Sequence, residues 1–152
     1  MFEFALVLPV LLALVLGIFQ FSRAYNVYQT MTRAAREGAR LAVLPSAVYS
    51  GNQFLDSSPL ITDPNSSTVF ARAIAPSLRA SNLDPKQVTN YRQQIGWLNP
   101  GGGEQQCGVA ISFDYPFTLN IPFTGERFHT LTLHTRVQMW RENQPVAGGT
   151  CP

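Results

Sequence analysis

Residues Phe2 to Phe19 read FEFALVLPVLLALVLGIF, apolar throughout except for Glu3. As helix this run would be about 27 Å long, just under the roughly 30 Å hydrocarbon core of a bilayer. A signal peptide would need a basic region before the apolar run and a small-residue cleavage site after it. Here only Met1 and Phe2 precede an acid, and the run continues into helix-compatible sequence. A membrane span fits better, but a solitary one gains nothing from Glu3, because an intramembrane carboxylate is costly without a partner. Nor does it gain from Pro9, which removes a helical hydrogen bond. A helix packed among copies of itself can use both: the acid pairs with a neighbour's amino terminus, and the proline loosens or bends the chain.

The helical pattern does not stop at the membrane edge. From Gln20 to Leu44 the only breaker before Pro45 is Gly38. Tyr25, Tyr28, Met31 or Thr32, Ala35, Ala39 and Ala42 recur at three- and four-residue steps, which predicts a mixed aromatic and small packing face. Arg33, Arg36 and Arg40 fall elsewhere on the helix, with Glu37 one turn after Arg33. They either solvate the helix or face neighbouring subunits and lipid headgroups. The whole element, 1–44, would reach about 65 Å, far longer than a small domain requires.

The stretch Glu3 to Leu44 closely resembles the TadE-like family of tight-adherence (Tad) pilus systems. The resemblance rests on EFALVLP at the start, Gly17, the FSRA block at Phe21–Ala24 and AAREGAR at Ala34–Arg40. It implies a type IV pilin-like protein without enzymatic activity, whose short basic leader a prepilin peptidase removes. It also implies partnership with copies of itself and with the inner-membrane pilus assembly machinery. The expected location is the bacterial inner membrane before assembly, then an extracellular filament. In such pilins the acid usually lies fifth after the processing site, whereas here it is third. Met1 is therefore either a mature terminus with a shifted acid, or a start from which a leader and two residues are missing. The chain is expected to be a filament pilin; a minor pseudopilin and a monomeric membrane-anchored periplasmic binding domain are the alternatives.

Downstream, 45–152 is expected to form an α+β head: a short helix and an antiparallel sheet of about three strands. Residues 45–67 are rich in Pro, Ser, Gly, Asn and Asp, and read as a surface loop. Within them Asn65-Ser66-Ser67 is a candidate glycosylation sequon, of a kind common by chance. Thr68 to Ala80 reads as a helix capped by Ser67 or Thr68 and flawed by Pro76. Val88–Trp97, Cys107–Phe117 and Leu131–Trp140 read as strands, the first with imperfect alternation. In the second, Val109, Ile111, Phe113, Tyr115 and Phe117 share a face. Leu131, Leu133, Val137 and Met139 should turn inward from the third. Asn99–Gln106 and Leu119–Phe128 read as loops.

Chemistry is sparse. Lys plus Arg number 11 against 9 Asp plus Glu, a net charge of +2, too small and scattered for nucleic acid. His129 and His134 point to opposite faces of a strand, so no zinc site follows. No carboxylate cluster, phosphate loop or nucleophile elbow occurs, so neither a catalytic residue nor a metal or cofactor is expected. Cys107 and Cys151 have no metal or redox spacing. In an exported protein they most simply form one disulfide, stabilising by roughly 3–4 kcal/mol in the chain-entropy view. The alternative is a pair of buried thiols.

Overall fold

The computed structural model describes residues 2–43, 60–98, 106–120 and 127–141. One helix, α1, runs Phe2–Val43 and includes Pro9. After it come a two-residue strand, β1 (Leu60–Ile61), then α2 (Ala75–Ala80), β2 (Thr89–Leu98), β3 (Gln106–Asn120) and β4 (Arg127–Trp140). The sheet has four strands in the order β1-β2-β3-β4, every pair antiparallel. The class is the expected α+β. The additional strand, β1, lies inside the stretch read as loop; its two residues are too few to show a period.

The second half of α1 lies across β3 and β4 and against the segment leading into α2. Met31, Ala34, Ala35 and Ala39 are fully buried there, with Val27 and Ala24 partly covered one and two turns earlier. Met31, Ala35 and Ala39 of the expected face are therefore packed, with Ala42 against the core, but its aromatic members Tyr25 and Tyr28 stand exposed. The sheet takes the smaller side chains because they let the helix backbone come close. At Gly38 the approach is closest: a Cβ there would sit 2.8 Å from Ile74 Cγ1 and 3.3 Å from Ile111 Cδ1.

Ser67 starts the short helix, its Oγ accepting from the Phe70 amide at 3.1 Å. The Pro76 flaw is absorbed by a π-turn over Phe70–Ile74, in which the Ala75 amide reaches the Phe70 carbonyl. Widening the turn relieves the clash that a proline ring makes with the carbonyl four residues back. The same Ser67 hydroxyl donates to Gln93 Oε1 at 2.6 Å and lies 3.0 Å from Tyr91 OH. Tyr91 also donates to Gln93 Oε1, at 2.8 Å. These buried polar atoms satisfy one another, so the core tolerates them.

The imperfect alternation of β2 has a physical origin. Register shifts between Thr89 and Arg92, where Asn90 takes a positive φ of 51°. A bulge inserts one residue, so Val88 and Tyr91 both face the core despite their spacing. On β3 the face Val109, Ile111, Phe113, Tyr115 and Phe117 is buried as read. On β4, Leu133, Val137 and Met139 pack against the core, but Leu131 is half exposed on the edge strand. The outer face is also dry at one end, where Leu98 and Trp140 close over Gly108.

Gly108→Ala is expected to destabilise the sheet by about 1–3 kcal/mol, since its Cβ would fall within 2.5 Å of the Met139 carbonyl. Urea unfolding of the full chain in detergent, followed by tryptophan emission, reads this; an unchanged midpoint would contradict the close β3–β4 approach.

Candidate assembly surface

The helical hydrogen-bond ladder satisfies most of the backbone of α1 internally, Pro9 leaving out one bond, so the first half can stand in an apolar solvent. From Val7 to Phe19 the large apolar side chains are exposed, Leu16 excepted. This segment is long and apolar enough to cross a membrane by length and composition. Glu3 lies in the first turn; its side chain is outside the described residues. Pro9 leaves α1 continuous. Around Gly17, nothing among the described residues approaches within 4 Å of the place a Cβ would occupy, so their packing gives no reason for a glycine there.

Beyond Phe19 the exposure becomes one-sided. Phe21, Tyr25 and Tyr28 are 74, 53 and 43% exposed. Gln20 is buried against the head, and the Arg23 guanidinium lies 5.9 Å from the centre of the Phe117 ring, a cation–π contact. Arg33, Arg36, Glu37 and Arg40 are all exposed on α1. Their charges form no ion pair among the described residues: the one salt bridge there is His134–Asp114. Glu37 and Arg40 do line a shallow cleft of about 410 Å³ with Arg72, Ala73 and Pro76. The structure thus brings the helix-face residues together as a solvated ridge, with Arg33 and Glu37 unjoined.

The remaining candidates sit apart. Asn65 is exposed on a short 3₁₀ turn, its amide held by Asp63 Oδ1 at 2.9 Å. The third sequon residue, Ser67, is buried in the core network described above. Cys107 is fully buried at the start of β3; Cys151 lies outside the described residues. Among the described residues no three His, Cys, Asp or Glu side chains converge on a metal-sized site.

What spacing did not reveal is a cluster pinning the β2 bulge. Asp114 accepts from Asn90 Nδ2 at 2.8 Å and is paired with His134 Nδ1. Burial pushes the Asp114 carboxyl upward, but the hydrogen bonds from Asn90 and His134 together outweigh it and hold the pKa below the ordinary 3.8. A folded-state value below the unfolded one means the contribution is complete above the ordinary aspartate range. It is lost as the pH falls through the lowered value. Asp114→Asn should flatten this acid-side loss and destabilise by under about 1 kcal/mol at neutral pH. Unfolding midpoints of both proteins at neutral and acid pH test this, and parallel pH profiles would refute it.

Neither a curated protein nor a solved structure matches the chain. A family model does: that of TadE-like protein, over residues 1–40. The match covers the exposed apolar half of α1 and most of the stretch that packs on the sheet, so the chain carries a TadE-like N-terminal segment, joined here to a four-stranded α+β head.

Proposed function

We propose that this chain is a pilin-like structural subunit of a Tad-type filament, without enzymatic activity. The observation that carries this reading is the division of a single helix. Its second half is packed by small residues onto the sheet, while the first half exposes apolar side chains on nearly every side. In the membrane lipid covers that half. On extraction into a filament, other copies of it do, and each Å² of apolar surface removed from water contributes about 25 cal/mol.

Several residues take roles in this reading. Glu3 neutralises a neighbour's terminal ammonium, a contact that gains strength because both charges have left water. Pro9 and Gly17 permit local loosening of the helix inside the bundle. Arg33, Arg36, Glu37 and Arg40 meet neighbouring heads or lipid phosphates, which their exposure allows. Cys107 and Cys151 close a disulfide that fastens the chain end to the sheet. The partners are copies of itself, the prepilin peptidase and the inner-membrane assembly machinery; the path runs from inner membrane to cell surface. A minor, filament-priming role is the second reading, favoured by the TadE-like match.

Glu3→Leu discriminates assembly from simple anchoring. Membrane insertion should persist, because the change removes a charge from the apolar run, while filament yield in sheared surface material falls away. Wild-type yield from the variant would sink the proposed role of Glu3. Electron microscopy and mass spectrometry of that material tell a dominant subunit from a scarce one. A chain found only in membranes, with no filament, would establish the anchored-domain alternative.

A further inference from the structure

Val7, Leu11, Leu14, Ile18, Phe21, Tyr25 and Tyr28 alternate at steps of four and three, and every one is exposed. That spacing is the 3.5-residue repeat of a coiled-coil seam. Within Phe2–Phe19 lipid alone accounts for apolar exposure, since the helix is apolar all round. Beyond Phe19 it does not. Phe21, Tyr25 and Tyr28 stay on the seam while Ser22, Asn26 and Gln29, also exposed, occupy other positions. An interfacial aromatic belt would explain residues at headgroup depth. Tyr28, however, lies about 13 Å past Phe19 along the axis, beyond a headgroup layer of roughly 5–8 Å on each side.

We infer that this seam is the contact between two copies of the chain lying side by side, parallel and in register. The inference rests on the membrane-anchored, pilin-like reading, because anchoring in the same membrane fixes the parallel orientation. Three further observations select a second copy as the occupant. The positions flanking the seam are uncharged: Leu8, Val15, Ser22 and Gln29 on one side, Val10, Gly17 and Ala24 on the other. Between Val7 and Tyr28 identical helices can therefore close without like charges meeting, and Gly17 and Ala24 leave room for the facing backbone. Arg23, the one charge between Val7 and Gln29, is on the opposite side of the helix, over Phe117 of its own head. The seam is about a quarter turn from the stripe seated on the sheet, so the sheet of each copy stands aside. Its end is also defined: at Thr32 the next seam hydroxyl bonds back to the Tyr28 carbonyl at 3.0 Å, and Ala35 after it is buried in the head.

The area is sufficient. With the exposures given, the seven side chains offer on the order of 700 Å² per copy, near the roughly 800 Å² per partner of a standard specific interface. Gly17, which packs against nothing among the described residues, acquires a reason to be small.

Oxidative crosslinking of single-cysteine additions to the full chain, in isolated membranes and with the native cysteines retained, tests the pair. Tyr25→Cys and Tyr28→Cys should shift from monomer to a band of twice the mass. Asn26→Cys and Arg33→Cys, exposed but off the seam, should remain monomeric. Equal linking at all four positions would overturn the seam and indicate random collision of an aromatic belt. Linking at none, with each variant recovered in the membrane fraction, would overturn it as well. Filaments from a chain whose seam does not link would sink the pair and leave the filament reading. Seam links in cells that yield no filament would do the reverse.

Discussion

The seating of Gly38 on Ile74 and Ile111 is the contact on which the rest of the molecule depends. It leaves only 2.8 Å between Ile74 Cγ1 and the place where a Cβ on residue 38 would stand, so a bare glycine fits where a side chain would push Ile74 aside. Ala34, Ala35 and Ala39 continue the same close approach. A larger stripe would hold the helix off the sheet and open space along the buried face of β3, where Val109, Ile111 and Phe113 are fully enclosed. Interiors are close-packed, and voids forfeit attraction that nothing else supplies. The small stripe therefore fixes how deep the helix lies and which way it is rotated.

That rotation has consequences along the whole rod. An α-helix is stiff, so fixing one face at Met31–Ala39 fixes the direction of every residue before it. Arg23 is carried over Phe117, and Tyr25 and Tyr28 are carried outward. The apolar first half then projects from a head that covers very little of it. The same helix thus has one half packed on the head and one half that exposes apolar side chains, without a joint between them.

The head shows how a short sheet is stabilised by few polar devices placed where regular structure fails. Ser67 caps a helix and completes a buried triad with Tyr91 and Gln93. Asp114 gathers Asn90 and His134 at the bulge, tying β2 and β4 to the strand between them. Both clusters join residues distant in sequence, so neither leaves a local pattern. A serine before a helix is readable as a cap; that its hydroxyl also serves a strand many residues later is not.

By itself the sequence determined the elements. The apolar run to Phe19 and a stretch from Gln20 to Leu44 with Gly38 as its only breaker pointed to one long helix, and alternation from Val109 to Phe117 to a half-buried strand. Both are local periodicities set by backbone geometry, so they are legible without a fold. The Glu3-to-Arg40 pattern likewise pointed to the TadE-like family that residues 1–40 match. Only the tertiary structure decided which helix face packs, because aromatic and alanine stripes have the same period and differ only in how closely they let the sheet approach. It also decided the strand at Leu60–Ile61, the bulge at Asn90 and the exposure of Leu131. Each depends on a partner strand or an edge, and a partner is what a linear sequence does not display.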